Sequence, residues 1–394
     1  MARRPTATVV GGGIAGLTSA VSLARAGWRV TVLERAPAFG EVGAGLAITR
    51  NGMSALEAIG VGAAVRAEGH ETVSAGIQDP DGRWLLRTPG TPGVREITTI
   101  WGIHRRRLHA ALLRAAEACD GVELVTGAKV TAVQPGHPAG DAATVTWQTT
   151  TGQYTSESDV VVAADGVRSG VRDQLFPGIR PRYSGSTSWR AVIPDTDSDC
   201  RLVQLWGPGT EFGAVRISDR EIYWYGYFRH PEGVSFPDEL AAARDHFSGW
   251  SPRVRAIVAA STADQLMRHD VYHLPHGPAS YSHGRIVLVG DAAHAMLPTA
   301  GQGASSALED GVCVGRLIAA PVTAGGDLAT ALATFDQARR PRCRQLARLS
   351  ATTARFGADL GGGWRQSVRN TLLRLAPAGS LARAGAPIVR WTAP

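Results

Sequence analysis

Residues 6–34 read TATVVGGGIAGLTSAVSLARAGWRVTVLE, and this stretch contains the signals that decide the fold. The β-branched residues Thr8 to Val10 open the run, glycines follow at once, and apolar side chains then recur at helical spacing until Gly27. Such an order predicts a strand, a tight turn and a helix, followed by a second strand from Val30 to Leu33.

Three glycines of the turn, Gly11, Gly13 and Gly16, fit the pattern G-x-G-x-x-G. The first makes the turn, the second lets backbone approach a pyrophosphate, and the third lets the helix pack on the strand. The helix N-terminus then offers free N–H groups to phosphate. Glu34 ends the second strand, where an acid binds adenosine ribose hydroxyls and disfavours a 2′-phosphate. A glycine-rich turn without a ligand is the alternative, but the agreement of all these features favours dinucleotide binding.

Composition sets the broad class of the protein. The chain has 394 residues, 44% hydrophobic and 19% charged, which is ordinary for a globular protein with two or three cores. Of its 41 basic residues only Lys129 is lysine, so the net charge of +7 is carried by scattered arginines. We interpret this as compositional bias first and attraction for an anionic cofactor or substrate second. No nucleic-acid motif accompanies it.

The cysteines and the hydropathy indicate where the protein works. Cys119, Cys200, Cys313 and Cys343 show neither C-x-x-C nor metal-ligand spacing. We therefore expect no bound metal and a reducing, cytoplasmic setting. No run of apolar residues is long enough to span a bilayer.

Strand-rich segments interrupt the nucleotide-binding pattern. Gly76 to Leu85 read as a hairpin with Asp81-Gly82 at its turn, and aromatic strands recur between Tyr183 and Asp270. The predicted fold class is α/β, with a Rossmann-like dinucleotide-binding domain interleaved with an antiparallel-sheet domain, plus a C-terminal helix. The predicted division is dinucleotide-binding domain at 1–71, 97–182 and 271–355, antiparallel-sheet domain at 72–96 and 183–270, and a C-terminal helical segment at 356–394.

Nucleotide-binding signals return after this sheet. Residues 284–289 predict a strand that delivers Gly290-Asp291, and a helix is predicted from Ser305 to about Ala319. Pro298, Gly301 and Gly303 precede that helix, so its N-terminus forms a second site that faces an anion. Such a dipole would favour the negative charge of a reduced flavin.

Three separated motifs together carry a resemblance: the glycine fingerprint with Glu34-Arg35, Asp165-Gly166, and Gly290-Asp291 with Pro298 and Gly301-Gln302-Gly303. Over residues 5 to about 350 the chain resembles the class A flavoprotein monooxygenases, the p-hydroxybenzoate hydroxylase-like family. The resemblance implies that the Rossmann-like domain is an FAD-binding domain of the glutathione-reductase type and that the antiparallel sheet is a substrate domain. The resemblance implies a set of cofactor-binding residues: Gly11, Gly13, Ile14, Ala15, Gly16, Glu34, Arg35, Arg105, Asp165, Gly290, Asp291, Pro298, Gly301, Gln302, Gly303 and Ala304.

One position departs from the family pattern. Relatives often carry Asn in the helix after G-Q-G, whereas Ser305-Ser306 stand here. Asp165 and Asp291 also have an alternative as helix N-caps. His294 is interpreted as a packed, neutral histidine rather than a catalytic one.

Candidate catalytic residues lie in the aromatic sheet. Arg190 follows Trp189 where the family's substrate domain often presents an arginine. Tyr223, Tyr225 and Tyr227 alternate, so they share one face of their strand. We take Tyr225 as the candidate that hydrogen-bonds substrate and expect core packing for at least two of the three tyrosines.

The resemblance implies an FAD-dependent monooxygenase whose flavin is reduced by NADH or NADPH as a transient co-substrate. Reduced FAD reacts with O2 to a C4a-hydroperoxide and delivers one oxygen to an electron-rich, aromatic or polyketide-like small molecule, most simply as a hydroxylation. Epoxidation, Baeyer-Villiger insertion and a reductase or dehydrogenase without oxygen insertion remain alternatives. A flavin halogenase resembling this fold would need a substrate-side lysine and a W-x-W-x-I-P segment. Here Lys129 is in a predicted FAD-domain strand, and residues 189–194 read WRAVIP.

The C-terminal segment has two interpretations. Trp364, Val368, Leu372 and Leu375 lie at helical spacing with arginines on other faces. A helix docked across both domains is the first, and a basic amphipathic contact with a membrane surface is the second. We expect a monomer or homodimer.

Overall fold

The computed structural model describes residues 3–40, 43–195 and 201–394. Cys200 therefore lies outside the described residues. The strands are β1 (Thr6–Val10), β2 (Arg29–Leu33), β3 (Gly45–Thr49), β4 (His70–Gln78), β5 (Trp84–Arg87), β6 (Thr99–His104), β7 (Val122–Val125), β8 (Lys129–Gln134), β9 (Ala143–Thr149), β10 (Gly152–Ser158), β11 (Val160–Ala163), β12 (Arg182–Pro194), β13 (Leu202–Gly207), β14 (Thr210–Ser218), β15 (Glu221–Arg229), β16 (Met267–His273), β17 (Ser282–His283) and β18 (Ile286–Leu288).

Helices connect and cover these strands. They are α1 (Ile14–Arg25), α2 (Arg50–Ala58), α3 (Gly62–Glu68), α4 (Pro92–Thr98), α5 (Arg105–Glu117), α6 (Gly170–Leu175), α7 (Glu239–His246), α8 (Pro252–Ala259), α9 (Asp291–His294), α10 (Gly303–Cys313), α11 (Ala320–Thr323), α12 (Leu328–Phe356), α13 (Trp364–Leu375) and α14 (Ser380–Val389). Pro298–Ala300 form a 3₁₀ turn, and Val314–Ala319 form a π-helical turn between α10 and α11.

The dinucleotide fold is a mainly parallel sheet in the order β17-β18-β11-β1-β2-β7. The central strand β1 pairs in parallel with β2 and β11, so Val9 lies beside Val32 and Val162. These three valines are fully buried, and a strand buried on both faces is the reason that this segment reads as a continuous apolar run. The predicted α/β class with a Rossmann-like domain is confirmed.

The second large sheet runs in the order β16-β12-β15-β14-β13-β4-β6-β3, with β5 paired to β4. The predicted hairpin is observed, because Ile77 pairs with Leu86 and Gly82 takes a positive φ of +85° at the turn. Strands β3 and β6, in ranges assigned above to the FAD-binding domain, also pair within this sheet. It therefore extends to the nucleotide domain without a break. A small sheet, β10-β9-β8, lies apart from both.

The C-terminal segment contains two helices where one was predicted. Helix α13 lies on the large sheet, since Arg369 stacks on Trp206 at 5.5 Å and Arg374 bonds Asp79 at 3.1 Å. Helix α14 packs near α4 and α2, and Arg342 donates to the Ile388 carbonyl at 2.7 Å. The C-terminal segment thus contacts both the large sheet and the helices of the nucleotide-binding domain. Within the described ranges, we find no helix with the length and apolar character to cross a bilayer.

Candidate active site

A cavity of about 1180 Å³ opens where the nucleotide fold, the large sheet and the C-terminal helices meet. From the nucleotide fold it is lined by the α1 N-terminus, Arg105, Asp291 and the segment from Pro298 to Ala304. The sheet contributes Ser188, Arg190, Gln204, Tyr223, Tyr225 and Tyr227. Helices α12, α13 and α14 supply a mostly apolar third wall. One space therefore joins the predicted cofactor loops to the predicted substrate sheet.

The glycine turn has the tight geometry that its sequence predicts. Gly11 takes a φ of +105°, and a Cβ on it would lie 2.5 Å from the Ala164 carbonyl oxygen. A Cβ on Gly16 would lie 1.9 Å from the Gly11 oxygen, so any larger residue would separate helix from strand. Gly13, Ile14 and Ala15 line the cavity. This end of α1 therefore presents backbone to a ligand.

Glu34 and Arg35 differ in their surroundings. The Glu34 carboxylate accepts hydrogen bonds from the N–H groups of Gly12 (2.7 Å) and Ala36 (2.8 Å). These bonds hold the acid beside the glycine turn, where a ribose would be recognised. Arg35 is exposed and does not line the cavity.

The three successive arginines that begin α5 point in different directions. Arg105 lines the cavity, Arg106 is exposed, and Arg107 pairs with Glu221 at 2.5 Å. Of the three, Arg105 is therefore the one positioned to contact an anionic cofactor.

Asp165 acts first on its own loop. It accepts hydrogen bonds from Ser169 Oγ (2.5 Å) and the Val171 N–H (3.1 Å). The N-cap of α6 is Ser169, whose Oγ accepts a hydrogen bond from the Arg172 N–H at 2.9 Å. Burial raises its pKa, against the lowering effect of these bonds. The adjacent Gly166, rather than Asp165, lines the cavity. Asp165 therefore holds the capping residue Ser169 in place and is not itself the N-cap, and its contact with the cofactor stays a prediction.

Gly290 and Asp291 begin α9 beside the cavity. Gly290 takes a φ of +58°, and its N–H donates to Asp310 Oδ2 at 2.8 Å. Asp291 faces the cavity. The fully buried Arg172 links this turn to the Asp165 loop by donating to the carbonyls of Ala292 (3.2 Å) and Val167 (2.9 Å).

In the segment 298–304 two glycines expose their backbone at the cavity wall. A Cβ on Gly301 or Gly303 would meet no atom within 4 Å, and both residues line the space. The first N–H groups of α10 lack intrahelical partners and carry the positive end of the helix dipole. The Gln302 side chain instead turns inward to Asn51 and Thr49, and Gln302 is buried and does not line the cavity.

These features fit FAD. Backbone at Gly13, the acid Glu34, and Arg105 with Asp291 would hold the nucleotide and its linking chain, and residues 298–304 would meet the flavin. Once bound, FAD supplies the redox and oxygen chemistry. Relatives often carry an asparagine at the position of Ser305 and Ser306, but these two serines do not replace its side-chain amide. Both are fully buried, with Ser305 bonded to Thr49 (2.9 Å) and Ser306 bonded to Arg339 (3.3 Å).

Beneath this segment lies a buried ionic cluster, which we define as His294, Glu309, Asp310, Arg339 and Arg342. Arg339 Nε donates to Asp310 at 2.6 Å and its terminal nitrogen to Glu309 at 2.6 Å, while Arg342 pairs with Glu309 at 2.6 Å. His294 Nε2 lies 2.5 Å from the second oxygen of Asp310. Asn51 adds a hydrogen bond to Glu309 at 2.7 Å. The cluster fastens α9 and α10 to α12.

The neutral state predicted for His294 is wrong, although the side chain is packed as expected. Burial alone would lower its pKa, but the Cys343 sulfur and Asp310 raise that pKa well above the usual value. In turn, and against its own burial, His294 and Arg339 lower the pKa of Asp310 to about 2. The two groups therefore form a charged pair.

The same cluster has one feature of a metal site. His294, Asp310 and Cys343 bring ligand atoms within 4.8 Å of one another. Arg339 already occupies this space, with a nitrogen 3.6 Å from Cys343 Sγ, and both Asp310 oxygens are bonded to cations. A metal ion would have to displace these cations. The absence of a metal stays a prediction.

All three alternating tyrosines of β15 line the cavity, and the expectation of core packing for two of them is confirmed, because Tyr223 and Tyr227 are also buried in hydrophobic clusters. Tyr223, Tyr225 and Tyr227 line the space although they are largely buried. Two glycines make room for them. A Cβ on Gly45 would lie 2.4 Å from Tyr223, and one on Gly213 would lie 2.4 Å from the Tyr225 ring.

Behind Tyr225 lies an acid that the sequence did not single out. Glu211 is fully buried, and its Oε1 accepts hydrogen bonds from the Tyr225 hydroxyl (2.7 Å) and from Gln204 (3.0 Å). Burial raises the pKa of Glu211 to about 7, against the lowering effect of these bonds. Burial and this acid also raise the pKa of Tyr225 well above its usual value. Gln204 and Tyr225 both line the cavity.

Arg190 is the cation on the substrate side. It lies opposite Tyr225 on the neighbouring strand, is half-buried, and its Nε is 3.4 Å from Ser188 Oγ. Together with Arg105 it gives this part of the cavity a positive potential. Burial is the main cause that lowers the pKa of His269, and the charges of Arg190 and Arg105 lower it further.

The sequence contains weak signals for the functional residues that the sequence analysis did not single out. Glu211 stands within a run of apolar and small residues, TEFGAV, where an acid is out of place on a buried strand. Arg339 and Cys343 follow Phe335 at intervals of four, so they share the buried face of α12. A charged residue on an apolar helical stripe indicates a buried partner.

Comparisons with known proteins agree with this geometry. A family model described as an FAD binding domain matches residues 4–350. The chain is 35% identical over 379 residues to aurachin C monooxygenase/isomerase of Stigmatella aurantiaca, with 94% of each chain covered. It is 33% identical over 387 residues to 2-heptyl-3-hydroxy-4(1H)-quinolone synthase of Pseudomonas aeruginosa, with 96% of each covered.

A solved structure shares the fold. Klebsiella pneumoniae HpxO, crystallised in complex with FAD and uric acid, superposes with a TM-score of 0.85 at 23% identity, covering 98% of this chain and 96% of that one. With the glycine turn, the segment 298–304 and the shared cavity, these matches establish the family. The chain belongs to the class A flavoprotein monooxygenases and is an FAD-dependent enzyme that uses NAD(P)H and O2 on aromatic small molecules.

Proposed function

We propose that this enzyme hydroxylates an aromatic ring that bears both an ionisable O–H or N–H group and an aliphatic chain. The observation that carries the proposal is the composition of the cavity. Its sheet side presents Arg190, Gln204 and Tyr225, whereas its helix side is lined by apolar groups such as Phe356, Val368 and Leu372. A substrate with one polar and one apolar end matches that division.

The polar end would bind and activate the ring. Tyr225 would hydrogen-bond the ionisable group of the substrate, and Arg190 would stabilise the anion formed there. These two are the proposed catalytic residues. Tyr225 can accept the substrate proton only if it passes on its own, and Glu211 accepts a hydrogen bond from that hydroxyl at 2.7 Å.

The proton path is therefore short. The substrate proton moves to the Tyr225 oxygen while the Tyr225 proton moves to Glu211 Oε1, so Glu211 ends protonated and the substrate ends as an anion. A pKa of about 7 suits Glu211 to this task, because its two protonation states are then both accessible at neutral pH. The ring carbon beside the anionic group gains electron density, which oxygen transfer to carbon requires.

The apolar end would take the aliphatic chain. The cavity of about 1180 Å³ continues from the predicted cofactor loops to the apolar helices, so a chain bound there would lie against Phe356, Val368 and Leu372. The name of the Pseudomonas aeruginosa relative also describes a quinolone ring with a heptyl chain. We further propose a cytoplasmic monomer or homodimer, since NAD(P)H is the co-substrate.

A chain-length series tests the proposal. The enzyme would be assayed with 4-quinolones that carry 2-alkyl chains of increasing length, and both NAD(P)H oxidation and hydroxylated product would be measured. Each buried methylene contributes about 0.8 kcal/mol, so kcat/KM should rise roughly fourfold per methylene until the apolar end is filled. Peroxide release should fall along the same series.

A variant of the cavity wall provides the control. Gly385 lines the apolar end, and a Cβ there meets no atom within 4 Å. Gly385→Leu should therefore abolish the gain for long chains and leave the unsubstituted ring unaffected. Gly249→Leu, at another open glycine outside the cavity, should behave as the unaltered enzyme. Equal kcat/KM for all chain lengths would overturn the proposal, and NAD(P)H oxidation without oxygenated product would favour a reductase.

A further inference from the structure

We propose that the C-terminal helices bind the surface of an anionic bilayer, and that a lipophilic substrate enters the cavity from the lipid. The docking surface is defined by the exposed apolar residues Phe356, Trp364, Val368, Leu372, Leu375 and Leu381 together with the arginines among them. The binding to lipid stands on this surface alone, whereas the entry of substrate rests on the proposed function.

Large exposed apolar side chains concentrate on this surface. Among the described residues, only Tyr154 and Val234 are of this kind elsewhere, while Leu349 joins the six residues of the docking surface. Trp364 is 73% exposed, Leu372 63% and Leu375 76%. All but Leu375 also line the cavity, so they form one continuous rim around its mouth. A continuous exposed apolar patch of this kind marks an interaction site.

Helix α13 has its apolar stripe on the outside. Trp364, Val368, Leu372 and Leu375 follow one another at intervals of three or four and share one face. The inner side is held by Arg369, which is 7% exposed and stacks on Trp206, and by Leu373, which packs with Ile77 and Leu85. The outer stripe is therefore not needed to attach the helix to the protein.

The charge of the segment selects the partner. Asp359 is the last acidic residue in the sequence, and arginines follow at 365, 369, 374, 383 and 390. Arg365, Arg383 and Arg390 are exposed, whereas the exposed Arg374 already pairs with Asp79 at 3.1 Å. An amphipathic helix with basic residues beside an apolar stripe containing Trp binds the interface of anionic lipids.

A second copy of the chain fits this surface poorly. In a twofold dimer the same patch meets itself, so the arginines of both copies would face one another without an acid from this segment to compensate. An anionic bilayer supplies both the apolar layer and the negative charge.

Flotation with vesicles tests the inference on the FAD-loaded, full-length enzyme. Vesicles of phosphatidylcholine alone are compared with vesicles that also contain phosphatidylglycerol, without substrate. We expect the enzyme to float with the anionic vesicles, to bind the neutral vesicles at least tenfold less, and to leave the anionic ones at high salt. The exposed Trp364 should shift its emission to the blue on binding, and Trp364→Phe should remove that shift.

Two pairs of variants separate the apolar contribution to vesicle binding from the electrostatic one. Leu372→Ser with Leu375→Ser should reduce anionic vesicle binding at least tenfold, as should Arg365→Gln with Arg383→Gln. The matched controls are Val234→Ser, an exposed apolar residue elsewhere, and Arg29→Gln with Arg220→Gln, two exposed arginines elsewhere. These controls should float as the unaltered enzyme.

Three results would overturn the inference: no flotation with either vesicle, equal binding to both, or unchanged binding in the leucine and arginine pairs. A mass that doubles with concentration in the absence of lipid, and reverts in the leucine pair, would instead assign the surface to a second copy. A negative result with vesicles would not affect the test of the proposed function, because the chain-length assay contains no vesicles.

Discussion

Glu211 shows how much chemistry one buried residue adds to this site. It is fully buried on β14, where a carboxylate is costly, and its hydrogen bonds from Tyr225 and Gln204 join it to the cavity wall. A structural role alone would be served equally by glutamine. The proposed role as proton acceptor requires an acid that can lose and regain its proton.

The activity of the enzyme should therefore depend on the ionisation of Glu211. With a pKa of about 7, the acid is a competent acceptor only above that pH, so kcat/KM should rise as pH increases through about 7. Glu211→Gln should flatten this limb and lower kcat/KM about 100-fold at pH 8. Tyr225→Phe should lose the same limb, whereas Tyr227→Phe, in the same cavity, should keep it. An unchanged limb in Glu211→Gln contradicts the role.

The same residue makes stability depend on pH. Because burial raises the pKa of Glu211 from 4.5 to about 7, the unfolded chain loses this proton first as pH rises. The free energy of unfolding should fall by about 3 kcal/mol between pH 4.5 and 7 and then level off. Urea titrations across this range measure it. Glu211→Gln should lack that part of the decline.

Asp291 is the residue to alter on the cofactor side. It faces the cavity at the start of α9, and a hydrogen bond to a charged acceptor contributes about 1.5–3 kcal/mol. Asp291→Ala should weaken FAD binding at least tenfold, as measured by flavin fluorescence during titration of the apoprotein. Asp264→Ala, at an exposed acid distant in sequence, is the control. Unchanged FAD affinity would remove Asp291 from the set of cofactor residues.

At the scale of elements, helix α12 stabilises the cofactor segment through the buried ionic cluster. Arg339 is 1% exposed and pairs with both Glu309 and Asp310 on α10. Those acids in turn hold Asn51 and the Gly290 N–H. Loss of the arginine would leave two buried negative charges short of a partner.

Neighbouring arginines on α12 allow a matched comparison. Arg339→Met should destabilise the protein by about 3–5 kcal/mol, because it breaks buried pairs. Arg340→Met removes only a partly exposed pair with Asp336 and should cost about 1 kcal/mol or less. Thermal unfolding of the FAD-free protein measures both variants. Equal effects would mean that the cluster contributes no more than a surface pair.

Local signals predicted the elements that depend on neighbours in sequence. The run from Thr6 to Glu34 forms its strand, turn and helix because each requirement is met within a few residues. The pairing of β3 with β6 and the buried partners of Arg339 depend on contacts between distant segments, which periodicity does not register. Glu211 was missed for the same reason, since its partner Tyr225 lies on the next strand.

At the scale of the whole molecule, the chain lacks a lysine beside the cavity and a W-x-W-x-I-P segment, the two features that halogenation would need. Lys129 is exposed on β8 of the small sheet, away from the cavity lining. Trp189 is fully buried against Phe228 at 4.1 Å and bonds Glu239, so it serves the core of the substrate sheet. The WRAVIP segment therefore does not supply a halogenase site.

Isotope labelling tests oxygen transfer directly. With a tailed quinolone, NAD(P)H and ¹⁸O₂, mass spectrometry should find one labelled oxygen in the product. Chloride or bromide should change neither its mass nor its yield. A halogenated product, or turnover of substrate to a product without label, would refute oxygen insertion.

The interleaving of the two sheets has a consequence for biosynthesis. Strand β18, which completes the parallel core beside β11, comes from Ile286–Leu288, and the counter-ions of Glu309 and Asp310 lie later still, on α12. A ribosome must therefore release most of the polypeptide before the flavin domain can close, although domains otherwise tend to form from the N-terminus during translation. The segment that would hold the flavin therefore gains its buried counter-ions only after α12 has emerged from the ribosome.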